Sequence, residues 1–248
     1  MRNQFGAELL KARSDKTVAL LVGMATFLDV LSILGNGSKA AQRLARGATT
    51  ATAVSHELVR LSFANLLFVT LFGAILVTSE YRNGAISRTV LLARNRIDIV
   101  VAKAGVSALV GFLFGLCGVV TSLAASALEM HRIGQRLVLD RESFIICLGI
   151  LIVCVFSGPW GTFIGWIVRN QVVTVVGVLV WVLIAESAII NFAPSIGRFL
   201  PGGAQAAIYR DTATAQVLSM PIGIVLFAAW ITAAGWLAAH LLERRDLT

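Results

Sequence analysis

Six long stretches of the chain are almost free of charge: 17–35, 61–79, 104–127, 144–168, 172–190 and 217–242. Each meets the roughly 20 residues that an α-helix, rising about 1.5 Å per residue, needs to cross about 30 Å of hydrocarbon. Lipid offers no water to backbone N–H and C=O groups, so a spanning segment must satisfy them internally, as a helix does. Of the 21 Lys and Arg and 13 Asp and Glu, only Asp29 and Glu186 fall inside the six stretches. A chain of 248 residues with 57% hydrophobic residues and a mean hydropathy of +0.84 is too apolar for a soluble domain of that size. The expectation is an all-α membrane protein with six transmembrane helices in a single domain over 1–248.

Six spans place both termini on one side. With that side cytoplasmic, the inner segments carry twelve basic residues over 49 positions and the outer segments nine over 67, the direction of the positive-inside rule. Both termini are therefore read as cytoplasmic and the localisation as the cytoplasmic membrane of a bacterium. The net charge of +8 is assigned to anionic lipid headgroups of the bilayer rather than to nucleic acid. Ahead of the first span, Phe5, Leu9 and Leu10 recur at helical spacing among Arg2, Glu8, Lys11, Arg13 and Lys16, which predicts a short amphipathic helix at the inner interface. The first run is read as a retained helix rather than a cleaved leader. Cys117, Cys147 and Cys154 lie inside apolar runs with no CxxC pair, so neither a disulfide framework nor a metal site is expected.

No GxxxxGK[ST] loop is present, so the chain builds no phosphate cradle of its own. His56, His131 and His240 are scattered, and Ser157 sits in a turn that Pro159 explains as a helix kink. An enzyme is not expected. The informative stretch is the second inner connection, Glu80 to Arg96, leading to Lys103. Asn83-Gly84 breaks the incoming span, after which Ile86, Val90 and Ala93 can share one face while Arg88 and Arg94 project elsewhere. Two readings stay open at this point: a basic anchor for the span ends, or a docking element for a cytoplasmic partner.

The run GAILVTSEYRNGAISRTVLLARNR resembles the signature of ABC-2 type permeases, with Glu80, Gly84, Arg88, Leu91, Leu92, Arg96 and Lys103 in the places of that pattern and Ala85 where many relatives have Thr. The amphipathic N-terminal helix, the six spans, ESAIINFAPSIGRFLPG at the outer end of the fifth span and the closing LLERRDL extend the likeness over nearly the whole chain. The resemblance implies a permease subunit that pairs with a second copy or a related permease and binds two ATPase subunits, which hold ATP and Mg; this chain needs no cofactor. It further implies outward movement of an amphipathic compound, such as a peptide antibiotic, a drug or a lipid-like product. The residues assigned to ATPase coupling are Glu80, Arg82, Gly84, Ile86, Arg88, Leu91, Arg94 and Arg96.

Asp29 and Glu186 fall in the outer half of their spans, where a charge costs roughly 2.5–3.5 kcal/mol and must face protein or water. Each is open to two readings, a polar station on a translocation path or a packing bond. Gly111/Gly115 and Gly161/Gly165 form two GxxxG pairs, which predict close helix contact. The outer segment 191–216, broken by Pro194, Pro201, Gly202 and Gly203, predicts short helices rather than a span. A secondary transporter using the two acids, and a scaffold or immunity subunit that only recruits a partner, are the competing classes.

Overall fold

The computed structural model describes residues 2–14, 16–86, 95–211 and 217–244. Those residues are predominantly helical, without a strand among them, and form six helical stretches long and apolar enough to cross a membrane, one of them, Gln171–Phe192, running through consecutive elements. In chain order the elements are α1 (Arg2–Ser14), α2 (Lys16–Ala45), α3 (Ala51–Arg60), α4 (Phe63–Arg82), α5 (Arg96–Arg132), α6 (Arg141–Val168) and α7 (Gln171–Val180). A π-helical turn, Trp181–Ala185, joins α7 to α8 (Glu186–Phe192). Two short helices, α9 (Pro194–Gly197) and α10 (Pro201–Ile208), precede α11 (Met220–Arg244).

The helices begin where side chains replace the missing backbone acceptors of a first turn. Asn95 caps α5 by accepting from Ile97 N, Asp140 caps α6 from Ser143 N, and Asn170 caps α7 from Val173 N. The turn between α6 and α7 is therefore reduced to Arg169, the C-cap of one helix, and Asn170, the N-cap of the next. At the connection that follows it, α4 ends in a Schellman motif, with Ala85 N donating to Glu80 O and Gly84 N to Tyr81 O. Gly84 stands at φ 64°, the left-handed conformation for which the motif selects glycine, as the expected break at Asn83-Gly84 requires.

Helix α6 is the centre of the bundle, packed along α4 and α5 and covered further out by α7 and α11. Small residues permit this. A side chain on Gly161 would collide with the Thr70 carbonyl, and one on Gly111 with the Cys154 carbonyl. Gly115 and Gly165 lie against Leu151 and Ala74, so both GxxxG pairs are packing surfaces. Thr162 Oγ1 and Ser107 Oγ sit 2.9 Å apart across the same interface, and α6 runs on through Pro159 with Ser157 buried inside it. Gly161→Ala is expected to lower stability against denaturant in detergent by about 1–3 kcal/mol, the range for overpacking a filled interior. Gly177→Ala, where a Cβ meets nothing within 4 Å, serves as the neutral control in the same titration.

The helices outrun the apolar stretches. Helix α2 continues through Asn36-Gly37-Ser38-Lys39 to Ala45, because Ile33, Gly37 and Ala40 remain buried against α3 and the end of α5. The stretch 36–60, read from composition as an outer connection, thus holds one helix end and the whole of α3, and Ser55 within it is fully buried. Polar composition hid a helix that protein, not lipid, covers. In 191–216 the short helices α9 and α10 appear as expected, and α10 is largely buried.

Candidate functional site

The last turn of α4 carries Glu80, whose carboxylate is turned into the protein. Facing it is Lys103 of α5, with no exposed surface at all. Lys103 Nζ lies 2.8 Å from Glu80 Oε1 and 2.7 Å from Glu8 Oε2 of α1. Lys11 completes the arrangement from the outside, 3.0 Å from Glu80 Oε1 and 2.9 Å from Glu8 Oε1. Two acids and two lysines thus alternate in a closed ring that joins α1, α4 and α5. Lys103 also donates to the Leu76 carbonyl at 3.5 Å. A single lysine sealed from water would be prohibitively costly, and the two carboxylates make its burial tolerable.

The electrostatics follow the geometry. Burial alone would raise the Glu8 pKa, but Lys103 and Lys11 outweigh it and hold the carboxyl below its ordinary value. Burial works against the Lys11 charge, and the bonds to Glu8 and Glu80 overcome it, so its pKa stands above the ordinary value. Glu8 therefore contributes stability above its ordinary value of 4.5 that is lost as pH falls through its lowered folded pKa. Lys11 contributes stability below 10.5 that is lost as pH rises through its raised one.

Glu8 and Lys11 escape sequence reasoning, which gave both to the polar face of an amphipathic helix. The structure forms α1 and packs Leu9 with Glu8 and Ala12 against the bundle, while Leu10 is 65% exposed. The available signal was the acid at position 8 with a base at position 11, one helical turn apart, where either one alone would be costly to bury.

The other residues assigned to coupling separate. Arg82 and Gly84 are exposed. Ile86 is buried among Val77, Ile99, Val100, Trp166 and Leu242, so it is a core residue here and not part of a free docking face. Arg88, Leu91 and Arg94 lie outside the described residues, as does the helix expected over them. Arg96 opens α5.

Asp29 and Glu186, both nearly inaccessible, share one device. Asp29, on α2, accepts from Ala64 N at 3.0 Å and from the Asn65 side-chain amide in the first turn of α4, whose own N-cap, Ser62, makes no side-chain cap bond. Glu186 accepts from Gly202 N in the first turn of α10, where the N-cap is Leu200. Each acid places its charge at the positive end of another helix and satisfies a donor that would otherwise be orphaned. Glu186 also lines a cavity of about 270 Å³ with Phe63, Val182, Gln205 and Tyr209. Next to it, sharing Phe63, Tyr209 and Asp211, opens a cavity of about 840 Å³ walled by charged residues of α2, α3 and α6. Its ion pairs are Arg43 with Glu57 at 2.6 Å and Glu142 with Arg60 at 3.5 Å, the latter also held by Arg210 at 2.6 Å.

No group of three or more metal-ligating side chains forms among the described residues. No curated protein matches the chain. Residues 5–186 match the family described as ABC-2 family transporter protein, a region that opens inside α1 and contains the four-residue ring, the connection after α4 and both buried acids. A buried charge ring at the root of that connection, six membrane-length helices and a family match over most of its length together make this chain a member of the ABC-2 family of transporter proteins.

Proposed function

We propose that the chain is the permease subunit of an ATP-driven exporter, moving an amphipathic or hydrophobic compound outward across a bacterial cytoplasmic membrane. It pairs with a second copy or a related permease, keeps both termini cytoplasmic with α1 at the inner interface, and binds two ATPase subunits that supply ATP and Mg. The observation that supports this reading is the Glu8–Lys103–Glu80–Lys11 ring. It stands where the longest inner connection, 83–95, leaves α4, and it links that point rigidly to α1 and α5. A push on the connection from a partner would be shared by three helices instead of being absorbed by one.

In this reading the coupling residues divide their work. Glu80 positions the connection from inside, Ile86 seats it on the bundle, and Arg82, Arg88, Leu91, Arg94 and Arg96 supply the partner-facing chemistry. Glu186, at the wall of the outer cavity, is the better candidate for the translocation path, and Asp29 is a tie between α2 and α4. The test is pull-down of the ATPase encoded with the permease, together with its ATP hydrolysis in liposomes. Arg88→Glu with Arg94→Glu is expected to abolish association and stimulation while leaving the permease monodisperse. Wild-type association in that double variant would leave the connection as a membrane anchor only.

A further inference from the structure

We propose that Arg169 is a positioning residue that clamps the α6–α7 turn and the inner end of α11 to the last turn of α4, so that motion of the coupling connection reaches α11 as well as α1 and α5. The proposal rests on the coupling reading above and extends it to the inner turn that is too short to form a docking helix.

Arg169 sits at φ 62°, a left-handed backbone that a non-glycine residue adopts only where its surroundings demand it. The demand is visible in its side chain. Its Nη2 donates to the Leu241 carbonyl at 2.9 Å. Leu241 lies in the final turn of α11, where carbonyls lack intrahelical partners and the helix dipole favours a cation. The same guanidinium lies 5.6 Å from the centroid of the Tyr81 ring, within cation–π range. Tyr81 in turn meets Trp166 edge-on at 5.9 Å and 86°, and Trp166 is sealed in the core at the end of α6.

The two residues of α4 that matter are neighbours. At 3.6 residues per turn, consecutive side chains point about 100° apart. Glu80 therefore faces α1 and α5 through the charge ring, while Tyr81 faces α6, the inner turn and α11 through Arg169. One helical turn thus has two grips on different parts of the bundle, and the connection begins directly after it at Asn83. Lysine cannot replace Arg169 here, because a compact ammonium cannot both stack on the ring and send a separate N–H to the carbonyl.

The test uses the complex with the ATPase recovered by pull-down, in nanodiscs, with Cys117, Cys147 and Cys154 replaced by Ala. Spin labels at Asn83 and Glu243, both exposed, report whether the ends of α4 and α11 move together. A second pair, Asn83 and the exposed Phe144 at the far end of α6, reports whether the end of α4 moves at all. In the wild type, trapping the ATPase with ATP and vanadate is expected to shift the Asn83–Phe144 distance and leave the Asn83–Glu243 distribution unchanged. In Arg169→Gln and Arg169→Lys the Asn83–Glu243 distribution should split into two populations only when nucleotide is trapped, with Tyr81→Phe behaving as wild type. A single Asn83–Glu243 population in Arg169→Gln under trapping, or a splitting already present without nucleotide, would overturn the clamp and leave the coupling reading standing. A wild-type Asn83–Phe144 distance indifferent to nucleotide would remove both.

Discussion

Lys103→Met is expected to lower the stability of the protein in detergent by about 3–5 kcal/mol, the cost of leaving buried charge without its partner. Methionine matches the apolar stem of the lysine and lacks only its terminal ammonium, so packing between α4 and α5 changes little. What is lost is the buried one of the two cations that touch both carboxylates: Glu8 and Glu80 then face each other with only Lys11, whose side chain is 54% exposed and partly screened. Helix α1 should detach first, because Glu8–Lys103 is its charged tie to α5 and only Lys11–Glu80 is left to hold it to α4. Protease cleavage within 2–14 should become rapid in Lys103→Met at a temperature where the wild type resists. Adding Glu8→Gln with Glu80→Gln should recover much of the loss, since two neutral amides do not need the lysine. The wild-type ring should hold in full between pH 4.5 and 10.5, the ordinary values of the two groups, and weaken only as pH falls through the lowered Glu8 value or rises through the raised Lys11 value. Equal denaturation midpoints for wild type and Lys103→Met would show that the ring does not hold the helices together.

Asp29→Ala is expected to cost about 2–5 kcal/mol, because two donors in the first turn of α4, the Ala64 N–H and the Asn65 amide, lose their acceptor together. The mouth of that helix is closely built. A side chain on Gly118 would strike the Asn65 amide, and Ser62 and Asn65 are fully buried, so space for a replacement water is scarce. Asp29→Asn separates the roles: its amide oxygen still accepts from Ala64 N, so most of the stability should return, without the charge that favours the helix end. A station on a translocation path would show the reverse pattern, with stability untouched by either change and export lost in both. Chemical denaturation followed by intrinsic tryptophan fluorescence distinguishes the two.

The spans were legible because their cause is local. A helix in lipid must be long and free of charge along its own length, and both conditions can be counted residue by residue, with only Asp29 and Glu186 left over. Caps and breaks were partly legible for the same reason: Asn83-Gly84 announces the Schellman end of α4 from two neighbouring letters. Where a helix leaves lipid and continues against protein, composition misleads. The polar stretch after Gly35 stays helical only because Gly37 and Ala40 find α3 and α5 beside them.

The charges depended on distance across the fold. Glu8 and Lys103 are 95 residues apart, Asp29 and Ala64 35, Glu186 and Gly202 16, and nothing in the local pattern pairs them. A charged letter states only that burial would be costly; whether a partner offsets the cost depends on which helix ends come together. Thus the sequence by itself determined that this is a six-helix membrane protein of the ABC-2 kind, because length, apolarity and order of motifs are properties of the chain. Tertiary packing alone decided that Glu80 and Ile86 face inward, that two buried acids cap other helices, and that one turn of α4 holds both sides of the bundle, because these depend on electrostatic and packing partners remote in sequence.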